Sequence, residues 1–493
     1  MRPAYALAAL LAIFAVLCVA FGLRTPYRQP GVLIHQNRAA APDIGAPDER
    51  QHANYVRHLL DGKGFPVLVP GSPDLGETYQ SHQPPLYYVL AAGWAKITSA
   101  DPADAESGRR LRWLNTLIGM GTLLGIFFAA RWGLESDAVG LAAVAFAGLM
   151  PMFIALHAAV SNDPLLFLAC SWTVALAARG IRRGWDLKLA LACGAVAGLG
   201  LLTKTTALAL LPTLVAALAT TKFWGEGRPC VRIWAVCLGL PIIIGLPWLA
   251  RNQSLYGDPF AVSAFNEAFV GSPRPHHVAI DAAVLENDPR YNSAAVEAIG
   301  ELGLGLDERP TPGQQKQVLD KIYEEVGFTF AVHNNYWVNW VGWWTARSYF
   351  GVFGYMDVFL FERQRSVRGE DPLAASNLAY RAMIAVAFLL FLGWLLSVRK
   401  LDDGPAKALH VTSAVLLAVV LVLFVRFNLQ YFQGQGRYLY PAVAPIALGL
   451  GAGACHWMRG RRDLAWLAVA ALLLLLDWAA YQAIAQGFPL RAA

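Results

Sequence analysis

Repeated apolar runs, each close to the length that crosses a bilayer, constrain this chain more than any other feature. A spanning helix needs about 20 mainly apolar residues. Runs approaching or reaching that length occur at 4–22, 112–130, 138–158, 163–178, 189–203, 206–221, 233–250, 377–397, 408–425, 438–455 and 463–484. In lipid each backbone polar group must find its partner within the segment, so such runs fold as helices. Charge agrees with this reading: Asp, Glu, Lys and Arg are 15% of the 493 residues, against about 25% in soluble domains. The expected fold is an all-α polytopic membrane protein with eleven transmembrane helices, interfacial helices and two long extracytoplasmic loops. An ordinary soluble enzyme, a disordered chain and a disulfide scaffold are excluded.

The run at 4–22 follows Arg2 and reads as an uncleaved anchor, because it is long and no small-x-small site follows it. The pair 189–203 and 206–221 reads as a tight hairpin with Lys204 at its tip. Segment 84–98 is too short to span and is rich in Tyr and Trp, which suits the headgroup layer. Kept at the surface, it leaves 15 basic residues in the inner short loops (among them Arg131, Arg182, Arg228, Lys400 and Arg461). Four then lie outside: Lys204, Arg426, Arg437 and Arg491. Making it a span would reverse that bias. The long polar stretches 24–111 and 251–376 fall outside, and the net charge of +6 belongs to membrane sidedness rather than to nucleic acid. The second includes the aromatic stretch 336–361, with Trp343, Trp344 and Tyr349 as candidate walls of a binding cavity. None of the six cysteines lies in these two stretches and none has metal-ligand spacing.

Within Pro47-Asp48-Glu49-Arg50-Gln51-His52, a helix starting near Pro47 places Asp48 and His52 on one face. Ser161-Asn162-Asp163-Pro164 has the form of a helix N-cap, yet the threading puts Asp163 on the membrane side that holds Asp48. Two acids at headgroup depth are costly unless used, so they form a candidate catalytic pair. Lys204 and Arg437 reach the same side, and Arg109, Arg110 and Arg112 enter a span there against the charge rule. Guanidinium groups at that depth suit an anionic lipid headgroup. Asp48, Glu49 and Asp163 are also the oxygen ligands that Mg²⁺ or Mn²⁺ would take, although no cofactor is required. No chain of acids or histidines runs across the bilayer, and no GxxxxGK[ST] motif occurs.

The order PDERQH (47–52), SHQPPLYY (81–88), VSNDPL (160–165), GLGLLTK (198–204), PWLARNQSLYGDP (247–259) and GQGRYLYP (434–441) resembles the GT-C superfamily of polytopic glycosyltransferases. Within it, the chain resembles bacterial relatives of protein O-mannosyltransferases and of the lipid A aminoarabinose transferase. The resemblance implies a GT-C-like module over 1–250, a second extracytoplasmic segment over 251–376 and C-terminal transmembrane helices over 377–493. It implies an inverting transfer from a polyprenyl-phosphate sugar to a glycan, lipid or protein acceptor, at the extracytoplasmic face of the plasma (inner) membrane. Asp48 then resembles the general base, with Glu49 and Asp163 as further acids. His52, His82, Gln83, Tyr87, Tyr88, Arg110, Arg112, Lys204, Arg437 and Tyr438 are the candidate substrate-binding residues. A flippase or transporter of lipid-linked saccharide, and a surface-polysaccharide polymerase or ligase, are the alternatives.

Overall fold

The computed structural model describes residues 2–28, 45–270, 274–285, 288–304, 312–327, 329–354, 375–399 and 401–488, with short stretches at 30–31, 41–42, 356 and 358–361. Lys400 and Arg491, which enter the charge argument, lie outside the described residues. The helices are α1 (Pro3–Arg24), α2 (Glu49–Leu60), α3 (Leu86–Thr98), α4 (Leu111–Gly133), α5 (Asp137–Gly148), α6 (Pro151–His157), α7 (Asp163–Arg183), α8 (Leu187–Leu201), α9 (Leu210–Trp224) and α10 (Val231–Tyr256). They continue as α11 (Pro275–Leu285), α12 (Pro289–Glu301), α13 (Pro312–Val326), α14 (Ala375–Val398), α15 (Gly404–Gln430), α16 (Val443–Trp457) and α17 (Ala465–Gly487). Short helical turns lie between them, and the described strands form two antiparallel ladders of two residues each. The fold is all-α and multi-pass.

Among the described residues nine helices are long and apolar enough to cross a membrane, or ten if the bent pair α5–α6 is one span. Each of the eleven expected runs is helical, but two are not straight, full-length spans. The run at 138–158 breaks by 69° between Gly148 and Pro151. Proline has no N–H and its ring clashes with the carbonyl four residues back, and Met150 before it is extended (φ −79°, ψ 119°). The helix α8 has only 15 residues, about 22 Å at 1.5 Å per residue, less than the hydrocarbon thickness.

The chain divides into two compact units. The first comprises Met1–Ala268, Phe350–Val420 and Arg437–Ala493, the second Phe269–Tyr349 and Leu421–Gly436. In the first unit α4 packs on α7, α5 on α16 and α17, and α14 on α16. The last pair approach closely because Gly453 has no side chain: a Cβ there would lie 1.8 Å from the Leu390 carbonyl oxygen. Small residues at such crossings take the place of a hydrophobic driving force that lipid does not supply.

The loop helices α2 and α3 are packed against the ends of α4 and α7 by a cluster of Tyr27, Val56, Tyr87, Tyr88, Leu111 and Val160. Tyr55 stacks on Tyr88 with ring centroids 3.7 Å apart. Each large side chain fully buried in such a cluster contributes roughly 1.5–3 kcal/mol. The second unit holds α11, α12 and α13 and the turn of π-helix at Tyr336–Gly342. Trp343, Trp344 and Tyr349 belong to it; there the Tyr336 hydroxyl donates to the Asn428 carbonyl at 2.7 Å, and the Gly436 N–H donates to Ser348 Oγ at 2.7 Å.

Candidate active site

Asp48 immediately precedes α2, where a capping residue would be extended and accept an N–H from the first turn. It does neither. Its backbone is left-handed (φ 64°, ψ −1°) and its side chain makes no capping bond. The carboxylate turns instead to two donors from distant segments. The Tyr79 hydroxyl donates to Oδ1 at 2.5 Å and Arg437 Nη2 donates to Oδ2 at 2.9 Å. Burial pushes the carboxyl up, but the Arg437 guanidinium, then the Tyr79 hydrogen bond, bring it below its ordinary value of 3.8.

Asp163, the first residue of α7, is buried and pairs with Lys204 Nζ at 2.5 Å. Lys204 sits between α8 and the turn Thr205–Ala209 that leads into α9, so the hairpin tip delivers it. The imidazole of His52, one turn into α2, feels the charges of Asp48, Asp163, Lys204 and Arg437. Burial is the largest influence and lowers it to about 4, so the ring is neutral at neutral pH. Its Nδ1 shares a hydrogen bond of 2.8 Å with the buried Tyr88 hydroxyl.

A relay of hydrogen bonds joins the two ion pairs. His82 Nδ1–H donates to the Tyr79 carbonyl at 2.7 Å, which leaves Nε2 to accept from the Gln83 amide at 3.2 Å. Gln83 Oε1 accepts from Asn162 Nδ2 at 3.2 Å, and the same nitrogen donates to the Thr203 carbonyl at 3.1 Å. A backbone bond from Leu86 N to the Leu202 carbonyl, 2.9 Å, runs alongside. The segment 79–83, the turn before α7 and the hairpin tip are thereby tied together, and each carries members of the site.

Of the residues named from sequence, Asp48, His52, His82, Gln83, Tyr88, Asp163, Lys204 and Arg437 come together. Tyr438 lies beside Arg437, whose Nη2 donates to its hydroxyl at 3.3 Å. Tyr87 is fully buried in the supporting cluster. Glu49, Arg112 and Arg110 are used elsewhere. Arg112 donates to both oxygens of Glu49, at 2.8 and 2.6 Å, and to the carbonyls of Gly22, Thr25 and Pro26. Glu49 also accepts the Val160 N–H at 2.8 Å. With its N–H groups so occupied, Arg112 fastens the ends of α1, α2 and α4 rather than facing a headgroup. Arg110 closes the end of α3, donating to the carbonyls of Thr98 and Ser99 at 2.9 and 3.2 Å. Tyr79, Asn162 and Thr203 are the members that reading the sequence for sites passes over. Tyr79 is one tyrosine among 17, and only its contact marks it.

The three carboxylates expected as cation ligands do not gather into a metal-binding group among the described residues. The group that has ligand composition is His276, His277 and Asp320, in the second unit, with ligand atoms within 4.8 Å of one another. His277 Nδ1 accepts the Arg274 N–H at 3.0 Å, so its proton is on Nε2 and goes to Asp320 at 2.6 Å. Lys316 holds the other Asp320 oxygen at 3.1 Å. A ligating histidine normally donates its second ring nitrogen; here that nitrogen accepts, as at a helix cap. As it stands the group ties α11 to α13.

Residues 82–250 match the family model for dolichyl-phosphate-mannose-protein mannosyltransferase. No curated protein matches the chain significantly. Among solved structures, the oligosaccharyltransferase of Archaeoglobus fulgidus in its apo form superposes with a TM-score of 0.52 at 16% identity, over 98% of this chain and 57% of that one. The same archaeal enzyme, AglB, in complex with an inhibitory peptide and a dolichol-phosphate gives 0.50 at 14% identity, over 97% and 55%. This chain therefore spans just over half the length of that protein. ArnT from Cupriavidus metallidurans bound to undecaprenyl phosphate aligns at 16% identity over 95% of this chain and 79% of that one, with a TM-score of 0.38 that is too low to bear on the argument. In fold the chain is like the archaeal oligosaccharyltransferase, and its segment 82–250 matches the family model for dolichyl-phosphate-mannose-protein mannosyltransferase.

Proposed function

We propose that the protein transfers a sugar from a polyprenyl-phosphate-linked donor to an acceptor at the extracytoplasmic face of the plasma (inner) membrane, with inversion and with Asp48 as general base. The observation that carries this reading is the pairing of Asp48 with Arg437. The carboxylate is ionised at neutral pH, and the Arg437 Nε–H beside it is buried with no hydrogen-bond partner among the described residues. A buried donor left open is costly, and a lipid phosphate would satisfy it through a charge-assisted bond. The family match and the dolichol-phosphate held by the archaeal relative support a lipid-phosphate donor.

The chemistry then follows from charge. As the bond from the anomeric carbon to the phosphate oxygen breaks, negative charge grows on the leaving phosphate, and Arg437 and Lys204 are the cations that stabilise it. The acceptor hydroxyl attacks the opposite face of an oxocarbenium-like centre and gives its proton to Asp48. Asp163 holds Lys204 in place. Neutral His52 and Tyr88 offer hydrogen bonds without adding charge. The acceptor is a glycan, a lipid or a protein.

Purified protein turning over a polyprenyl-phosphate sugar tests this. Asp48→Asn should reduce turnover by about 10²–10⁴, the range of positioned acid–base catalysis, while donor binding is retained. Arg437→Ala and Lys204→Ala should weaken binding and turnover together. A flippase would show the opposite ranking, with mild loss in Asp48→Asn. Full transferase activity in Asp48→Asn would refute the assignment.

A further inference from the structure

The segment between α2 and the helical turn at Leu75 carries a feature that catalysis does not use. After a polar tip at Asp61-Gly62-Lys63-Gly64, where both glycines have positive φ, residues 65–69 form neither helix nor strand but show the two-residue burial alternation of an extended segment. They alternate: Pro66 and Leu68 point inward and are buried, while Phe65, Val67 and Val69 are 45%, 42% and 55% exposed. In an extended segment facing water the outward positions are normally the polar ones. Here three consecutive outward positions are apolar, which is a ridge rather than the scattered exposure found on any surface.

The ridge is fixed to the end of a spanning helix. Arg251 donates to the carbonyls of Phe65 and Pro66 at 3.2 and 2.8 Å, and the Tyr256 hydroxyl accepts the Leu68 N–H at 3.0 Å. The Phe65 ring meets Trp248 edge-on, with centroids 5.9 Å apart, and Arg251 lies over the other partner of that contact, 4.4 Å from the Trp248 ring centre. The 26 residues of α10 extend about 39 Å, longer than a hydrocarbon core of about 30 Å. With Arg232 at one boundary, Trp248 lies about 24 Å along, Arg251 about 28 Å and Tyr256 about 36 Å, so the three bracket the opposite boundary, where Trp, Tyr and Arg concentrate.

We infer that residues 65–69 are seated in the membrane interface, with Phe65, Val67 and Val69 in contact with lipid, so that the first long loop is held to the bilayer beside α10. This does not depend on the catalytic reading. Full-length protein in lipid nanodiscs, with the exposed Cys230 changed to Ser, tests it through single cysteines carrying an environment-sensitive nitrobenzoxadiazole label. Val67→Cys and Val69→Cys should be quenched by lipids bearing a nitroxide near the headgroup and protected from aqueous iodide. Lys63→Cys, on the polar tip, should show the reverse, with a lipid-to-iodide quenching ratio several-fold lower. Both ridge positions lie outside the core, and elution as a single species in gel filtration confirms that each labelled variant is folded. Iodide quenching at 67 and 69 equal to that at 63 would overturn the inference, and is the outcome expected if the ridge were an aqueous docking edge for an extended peptide.

Discussion

Asp48 holds a backbone conformation that costs a non-glycine residue about 1–2 kcal/mol, and it forgoes its capping bond as well. Strain of this kind persists where the surroundings over-determine it, and here the surroundings are Tyr79 and Arg437. A pH dependence follows. A base works above its pKa and fails as pH falls through it. With Arg437 present the Asp48 carboxyl lies below 3.8, so kcat/KM should be flat from neutral pH down to about 5, where an ordinary carboxylate is still largely ionised. Arg437→Gln removes the strongest lowering influence and leaves burial opposed chiefly by the Tyr79 hydrogen bond. Its acid limb should move above the ordinary carboxylate value, and Tyr79→Phe should move it the same way by less. An acid limb unmoved in Arg437→Gln, measured on the residual activity, would mean that another group is the base. Asp48 and Asp163 were legible as acids sharing one side of the membrane. Their partners followed only in part, because Lys204 and Arg437 declare themselves by charge and Tyr79 does not.

The loop helix α2 is placed by an ion pair as much as by its apolar face. Glu49 and Arg112 are both buried, and between them they bind the carbonyls after α1 and the N–H before α7. Removing one partner of a buried pair leaves the other charge uncompensated, at a cost of about 3–5 kcal/mol. Arg112→Leu should therefore lower the unfolding midpoint in detergent markedly. Donor affinity per folded molecule should change far less than in Arg437→Ala; an equal loss of donor binding would return Arg112 to the phosphate. Gly453→Ala should cost about 1–3 kcal/mol, the usual range for overpacking, because the added methyl meets the Leu390 carbonyl. A midpoint equal to wild type would mean that α14 and α16 separate freely. The basic cluster before α4 was legible as an anomaly, but its purpose was not. Besides Glu49, Arg112's partners are carbonyls 86 to 90 residues away, and backbone carbonyls carry no sequence signature.

Across the whole molecule, the basic residues argue for one threading of the membrane. Ser99, exposed at the end of α3, should face the outer side, and the exposed Cys230 before α10 the inner side. A membrane-impermeant maleimide added to intact cells should label Ser99→Cys and spare Cys230. Labelling of Cys230 from outside would invert the threading and remove the extracytoplasmic site.

The sequence by itself determined that the chain is a helical membrane protein and where its apolar helices lie. Lipid allows an isolated segment little choice but to satisfy its own backbone, so twenty apolar residues are nearly sufficient information. It also marked α3 as too short to span. It did not determine that 138–158 is broken at Pro151; with that break and the short α8, nine or ten long spans stand among the described residues where eleven apolar runs occur. The tertiary structure decided which polar residues meet. Asp48 reaches Arg437 across 389 positions and Asp163 reaches Lys204 across 41, while Glu49, next to Asp48, is turned to Arg112. Asp48 stands before α2 in a left-handed conformation while Glu49 is its first helical residue, so the neighbouring acids turn to different ends, and only the packing of the loop on the spans says which.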